Sequence, residues 1–242
     1  MATATVEFSG RAYLLGYMET GISNATIKLR EFPELSATTD EFGDYRFAVP
    51  DYADVTPYIL SGEGDLTGRP REGEPTVKRY HWNELDLQTF QTRGEALENV
   101  NFQAPADAEY EALMAWLQVP SGEDGRPSRC AIVTTASARN VRGVDYDTFW
   151  TNTPHGVEGA TSAAEPALPD PIYFNEFVIP DSSRTETSVD GGIVWPVVPA
   201  GTYRITTSSP DTRFAEFTAT CAPGRVINAN PPWGAFELEE TE

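Results

Sequence analysis

The chain has 242 residues, 40% of them hydrophobic and 11% aromatic, which is enough apolar surface to offset chain entropy in one large or two ordinary domains. Seventeen basic against thirty-seven acidic residues leave a formal charge of −20, a field that repels phosphate backbones and anionic headgroups and so argues against nucleic-acid and membrane-surface partners. Nineteen Gly and nineteen Pro point to a turn-rich, all-β protein, and two cysteines are too few for a disulfide framework or an all-cysteine zinc site.

The first residues, MATATVEF, carry no basic start and no apolar run of signal-peptide length, so they read as the first strand itself. No stretch approaches the length of about 18 apolar residues that spans a bilayer. Together these give an expected cytoplasmic or virion address without membrane insertion. Residues 6–15 form the strand-rich opening. GISNATIKL (21–29) follows, alternating apolar and polar from Ala25 to Leu29 as a strand with one buried face does. In TTDEFGDYRFAVP (38–50) an Asp/Gly turn joins two short strands, and Gly43 supplies the positive φ of a tight hairpin.

Residues 105–118 place Tyr110, Leu113, Met114 and Leu117 on one helical face, with Asp107 as the expected N-cap, acids in the first turn and Pro120 just past the end. SGEDGRPS (121–128) is the clearest linker or loop tip. The second half then repeats the order of the first. GVEGAT (156–161) answers residues 21–26, and TSVDGGIVWPVVP (187–199) answers residues 38–50; aligned without a gap, Gly43 meets Gly192, Val49 meets Val198 and Pro50 meets Pro199.

A Gly-x-x-x-Ala-Thr strand, then the Thr-Thr-Asp-x-x-Gly-x-Tyr-x-Phe hairpin, then VPAGTYRI (198–205), resembles the carboxypeptidase regulatory-like (transthyretin or prealbumin-like) family. That resemblance implies an antiparallel β-sandwich in two tandem copies, Ig-like in outline, to which the pattern of residues 105–118 adds one short connecting helix. The expected boundaries are 1–104 for the first sandwich, 105–127 for helix and linker, and 128–242 for the second. The first copy departs from the family by a longer turn at residues 50–56, the second by an insertion near 163–176.

Candidate chemistry is sparse. His81 and His155 are the only histidines, and with Glu84, Glu158, Tyr80 and Tyr173 they make up the acid–base set of an enzyme alternative, a lyase or hydrolase with a pocket between the modules. Intradiol dioxygenases share the prealbumin-like architecture, but their closely spaced His-x-His is missing. No nucleophile elbow and no phosphate-cradling glycine loop occurs. Asp40, Glu41 and Asp44 offer hard oxygens for calcium, although ordinary turn chemistry asks for the same residues. Cys130 and Cys221 sit where a closed sandwich brings them close, which leaves two buried thiols or one structural disulfide.

Aromatics at Trp150, Tyr173, Phe174 and Trp233 serve either as core or as a recognition surface. The segment around Tyr173 and Phe174 reads as an extra edge strand in the first case. Carbohydrate binding through exposed tryptophans is a further alternative. The reading these observations favour is a non-enzymatic structural or protein-interaction module, without cofactor, for a protein partner or a homo-oligomer in a larger assembly.

Overall fold

A computed structural model describes residues 4–15, 17–64, 80–122, 125–141, 144, 148 and 155–239. The chain divides into two compact units, Met1–Ala112 and Leu113–Glu242. The first holds β1 (Thr5–Leu14), β2 (Tyr17–Gly21), β3 (Thr26–Leu29), β4 (Ser36–Thr38), β5 (Asp44–Pro50), β6 (Asp54–Val55), β7 (Pro57–Ile59), β8 (Gly62–Gly64), β9 (Tyr80–Trp82), β10 (Leu85–Asp86), β11 (Phe90–Gln91) and β12 (Phe102–Ala104). The second holds β13 (Cys130–Thr135), β14 (Thr161–Glu165), β15 (Ile172–Phe174), β16 (Pro180–Asp181), β17 (Gly192–Val198), β18 (Gly201–Ser208), β19 (Phe217–Cys221) and β20 (Val226–Ala229). The protein is thus mostly β, of sandwich type, with a short α-helix, α1 (Asp107–Trp116).

In the first unit β1 pairs antiparallel with β5 and parallel with β12, while β10, β7, β3 and β4 are hydrogen-bonded in that order. Burial alternates along β3, with Ile27 and Leu29 inward, because successive side chains of a strand point to opposite faces. Phe8 of β1 is fully buried and meets Phe47 and Phe90 edge-on, with ring centroids 5.5 and 6.0 Å apart.

In the second unit β13 pairs antiparallel with β17 and parallel with β20, and β18 lies between β14 and β19. Between these sheets Ile132, Ile193, Trp195, Tyr203, Ile205, Phe217 and Ala219 make one apolar interior. Tyr203 and Ile205 share its face, as the VPAGTYRI strand pattern requires. A disulfide joins Cys130 of β13 to Cys221 of β19, with Cα atoms 5.5 Å apart. It staples the two sheets through the interior, so two buried thiols, the more ordinary expectation for such a chain, give way to a bond that geometry permits.

The two units share a backbone clasp. In the first, the buried Thr39 hydroxyl accepts from the Ala25 N–H at 2.8 Å and donates to the Ile22 carbonyl at 2.6 Å. In the second, the buried Thr187 hydroxyl accepts from the Ala160 N–H at 2.8 Å and donates to the Val157 carbonyl at 2.6 Å. The Ala12 N–H donates to the Gly43 carbonyl and Ile22 N–H to the Ala12 carbonyl; Ala136 to Gly191 and Val157 to Ala136 do the same. Gly43 and Gly191 have φ of +85° and +77°, so both occupy the left-handed region that favours glycine.

These equivalences correct the gapless alignment by one position. Gly43 corresponds to Gly191, not Gly192, and Thr39 to Thr187. The second hairpin carries one residue more between its glycine and Val198, and β17 absorbs it in a bulge opposite Ala131, between the Cys130–Val198 and Ile132–Trp195 pairs. Pro196, which has no N–H for a ladder, lies in that bulge. The insertion near 163–176 supplies the end of β14 and all of β15, which adds to the free side of β17.

Helix α1 begins one residue earlier in its hydrogen bonding than expected. Ala106 is the N-cap: its carbonyl accepts from Tyr110 N–H at 2.9 Å, and Glu109 Oε2 reaches back to its N–H at 3.2 Å. Asp107 is the first helical residue and its carboxylate is spent elsewhere. The helix ends with Gln118 at φ +52°, while Val119 N–H bonds to the Met114 carbonyl and Gln118 N–H to the Ala115 carbonyl, a Schellman closure. Tyr110, Leu113, Met114 and Leu117 are half-buried, as one shared apolar face implies.

Candidate functional site

The two histidines lie in different units and have different neighbours. His81 of β9 is a partly exposed residue whose Nδ1 sits 2.7 Å from Asp107 Oδ1, and Asn83 Nδ2 donates to the same oxygen at 3.0 Å. The arrangement ties a strand to the start of α1. Glu84 is not beside His81: it accepts from Arg30 Nη2 at 2.8 Å. Arg30 also donates Nε to Asp86 Oδ2 at 2.8 Å and Nη2 to Asp86 Oδ1 at 2.5 Å, and its guanidinium lies 3.5 Å over the Tyr58 ring. Asp86 is buried, and this paired, stacked guanidinium is how a buried carboxylate is tolerated.

Burial is the largest single influence on Arg30 and opposes its charge, but Asp86 and Glu84 together outweigh it and hold the guanidinium protonated above its ordinary range. Glu84 is therefore engaged in an ion pair with Arg30, in the connection between β9 and β10. Of Tyr80 only the backbone, in β9, is described.

His155 is half-buried and its carbonyl accepts from the Ala138 N–H at 2.9 Å. Glu158 is exposed in the turn before β14. The carboxylate that responds to His155 is Asp190: burial raises its pKa, while the Gly192 N–H and the positive field of His155 lower it. Tyr173, the remaining member of the acid–base set, is buried, its hydroxyl accepts from the Ser162 N–H at 3.1 Å, and burial is the main cause of its raised pKa.

Asp40 Oδ1 accepts from the N–H groups of both Phe42 and Asp44 at 2.9 Å, a turn closed by a side chain. Glu41 is exposed, and Asp44 lies 3.9 Å from Arg11. Burial raises the Asp44 pKa, Arg11 lowers it and Asp40 raises it again. No cluster of three metal-binding side chains occurs among the described residues.

As a recognition surface, Tyr173 and Phe174 are corrected: both are buried, because β15 adds to β17, where Tyr173 joins the apolar interior and Phe174 is covered against Gly192. Trp233 is half-buried. Trp150 lies outside the described residues, as do the rest of 145–150 apart from Thr148. Large apolar side chains are exposed at other positions: Phe42, Tyr52, Trp116, Phe177 and Val178 are each at least 59% exposed. Four of these five sit in turns, the exception being Trp116 at the end of α1. None of these five was named from the sequence as a contact residue; for Phe177 and Val178, an Asx residue opening a short loop, Asn175, was the available signal.

No family model matches the chain, and no curated protein does. Solved structures align along its length at low superposition scores. The Bacillus anthracis TIE protein is 14% identical with a TM-score of 0.26, over 96% of this chain, which spans about a third (34%) of that one. GBS52, the minor pilin of the gram-positive pathogen Streptococcus agalactiae, is 10% identical with a TM-score of 0.28 over 98% of each chain. The shaft pilin spaA from Lactobacillus rhamnosus GG is 11% identical with a TM-score of 0.24, over 98% of this chain and 99% of that one. No residue role is carried over from them.

The expected cytoplasmic or virion address is corrected. The Cys130–Cys221 disulfide is a bond that oxidising compartments keep and the cytosol reduces. No helix among the described residues is long and apolar enough to cross a membrane.

Proposed function

We propose that this protein is a non-enzymatic structural or protein-interaction module, built from two copies of one sandwich plan of the carboxypeptidase regulatory-like kind, which holds loops in fixed geometry for a protein partner or a second copy of itself. The observation that carries this reading is where the exposed apolar side chains sit. Phe42, Tyr52, Phe177, Val178 and Val189 all lie in turns whose backbone is pinned by internal hydrogen bonds. Rigid loops with apolar side chains facing water bind with little ordering cost, which is what an interaction surface needs. The Thr39 and Thr187 clasps support the duplication.

The test is site-specific photo-crosslinking from Phe42, Tyr52 and Phe177 in cells that produce the protein, with discrete protein adducts as the expected result. A turnover that disappears in H81A or H155A would instead establish the enzyme alternative.

A further inference from the structure

The hairpin of β15 and β16 has a tip that its fold does not need to be apolar. Asn175 closes it from inside: its Oδ1 accepts from Phe177 N–H at 3.0 Å and Ile179 N–H at 3.2 Å, and its N–H donates to the Ile179 carbonyl at 2.9 Å. Around this buttress Phe177, Val178 and Ile179 are 72%, 62% and 39% exposed. Val178 has φ +61°, a strained conformation and a genuine outlier for a β-branched residue. Trp116, 63% exposed, hangs its indole N–H on the Pro180 carbonyl at 3.1 Å and so stands beside the tip.

The charge around the tip is negative. Glu176 is exposed next to Phe177, and at the foot of the hairpin Ser183 holds Asp181 ionised through its hydroxyl and its N–H. Asp170 and Glu186 both act on the nearby Tyr173 hydroxyl, and the guanidinium of Arg184 acts on Asp181. A second copy would bring two chains of formal charge −20 together, and anionic headgroups meet the same repulsion.

We infer that residues 177–179, with Trp116 beside them, form a docking knob for an apolar socket rimmed by Lys and Arg on a partner protein. This rests on the interaction reading above and names the chemistry of the partner. Three apolar anchors supply contact area, and the acids set orientation and association rate.

The experiment selects peptides from a phage-displayed random library on the full disulfide-bonded chain, then measures a synthesised winner against the wild type, F177S and V178G. Enriched peptides should pair aromatic or aliphatic residues with Lys and Arg, and F177S should weaken them about tenfold or more. V178G should raise the urea midpoint by relieving the backbone while weakening the peptide, which separates lost docking from lost folding. Peptides that bind F177S as well as wild type overturn the knob and leave the interaction reading standing, whereas failure to enrich any peptide counts against both. A dimer that F177S dissociates in light scattering, or F177-dependent binding to phosphatidylcholine vesicles, reassigns the tip and overturns the basic-socket partner.

Discussion

Thr39 and Thr187 do the same work in the two units, each bridging an N–H and a carbonyl in a buried position. Removing either hydroxyl strands a buried donor and acceptor, so T39A and T187A are each expected to cost about 1–3 kcal/mol in urea denaturation. Thr39 was legible in the sequence only as a turn residue, because burial of a hydroxyl depends on which strands close over it. Gly43 was read correctly as a positive-φ position, yet its partner was placed one residue too late. The shared Val-Pro ends fixed that alignment, and the bulge at Pro196 lies between them and the glycine.

Tyr45 is fully enclosed and donates to the Val100 carbonyl, and burial holds its phenol well above the ordinary value. Its folded-state pKa exceeds that of the unfolded chain, near about 10, so the stability it confers is present below about pH 10 and is lost as pH rises further. Tyr173 shifts the same way. Urea midpoints should therefore fall steeply above about pH 10, and Y45F should flatten that fall.

Strands whose burial alternates, such as β3, were legible because period two shows directly in the residue pattern. The helix was legible through Tyr110, Leu113, Met114 and Leu117. Its N-cap was not, since Asp107 outranks Ala106 on propensity and only the tertiary pull of His81 and Asn83 decides where the carboxylate goes. The burial of Tyr173 and Phe174 follows from β15 pairing with β17, a contact between segments distant in sequence that no local pattern encodes. The disulfide links elements 91 residues apart. Chain-entropy reasoning expects a double C130A/C221A variant to lose about 2–5 kcal/mol of stability. Denaturation with and without reductant should show the same gap in wild type and none in the variant.

Across the whole molecule, the formal charge of −20 acts on every described loop. Self-repulsion destabilises a compact acidic chain, and salt shortens its reach from about 8 Å at physiological ionic strength to about 3 Å at 1 M. The urea midpoint is expected to rise with added sodium chloride. A fall would mean that attractive pairs such as Arg30 with Asp86, and not the excess of acids, dominate the balance. The Thr–Gly clasp also divides each unit into what can change and what cannot. Glu41, Phe42 and Val189 are exposed between those anchors, while Asp40, Ser188 and Asp190 close the turns by side-chain hydrogen bonds, so foreign side chains placed at the three exposed positions should leave the scaffold standing and make both turns display sites.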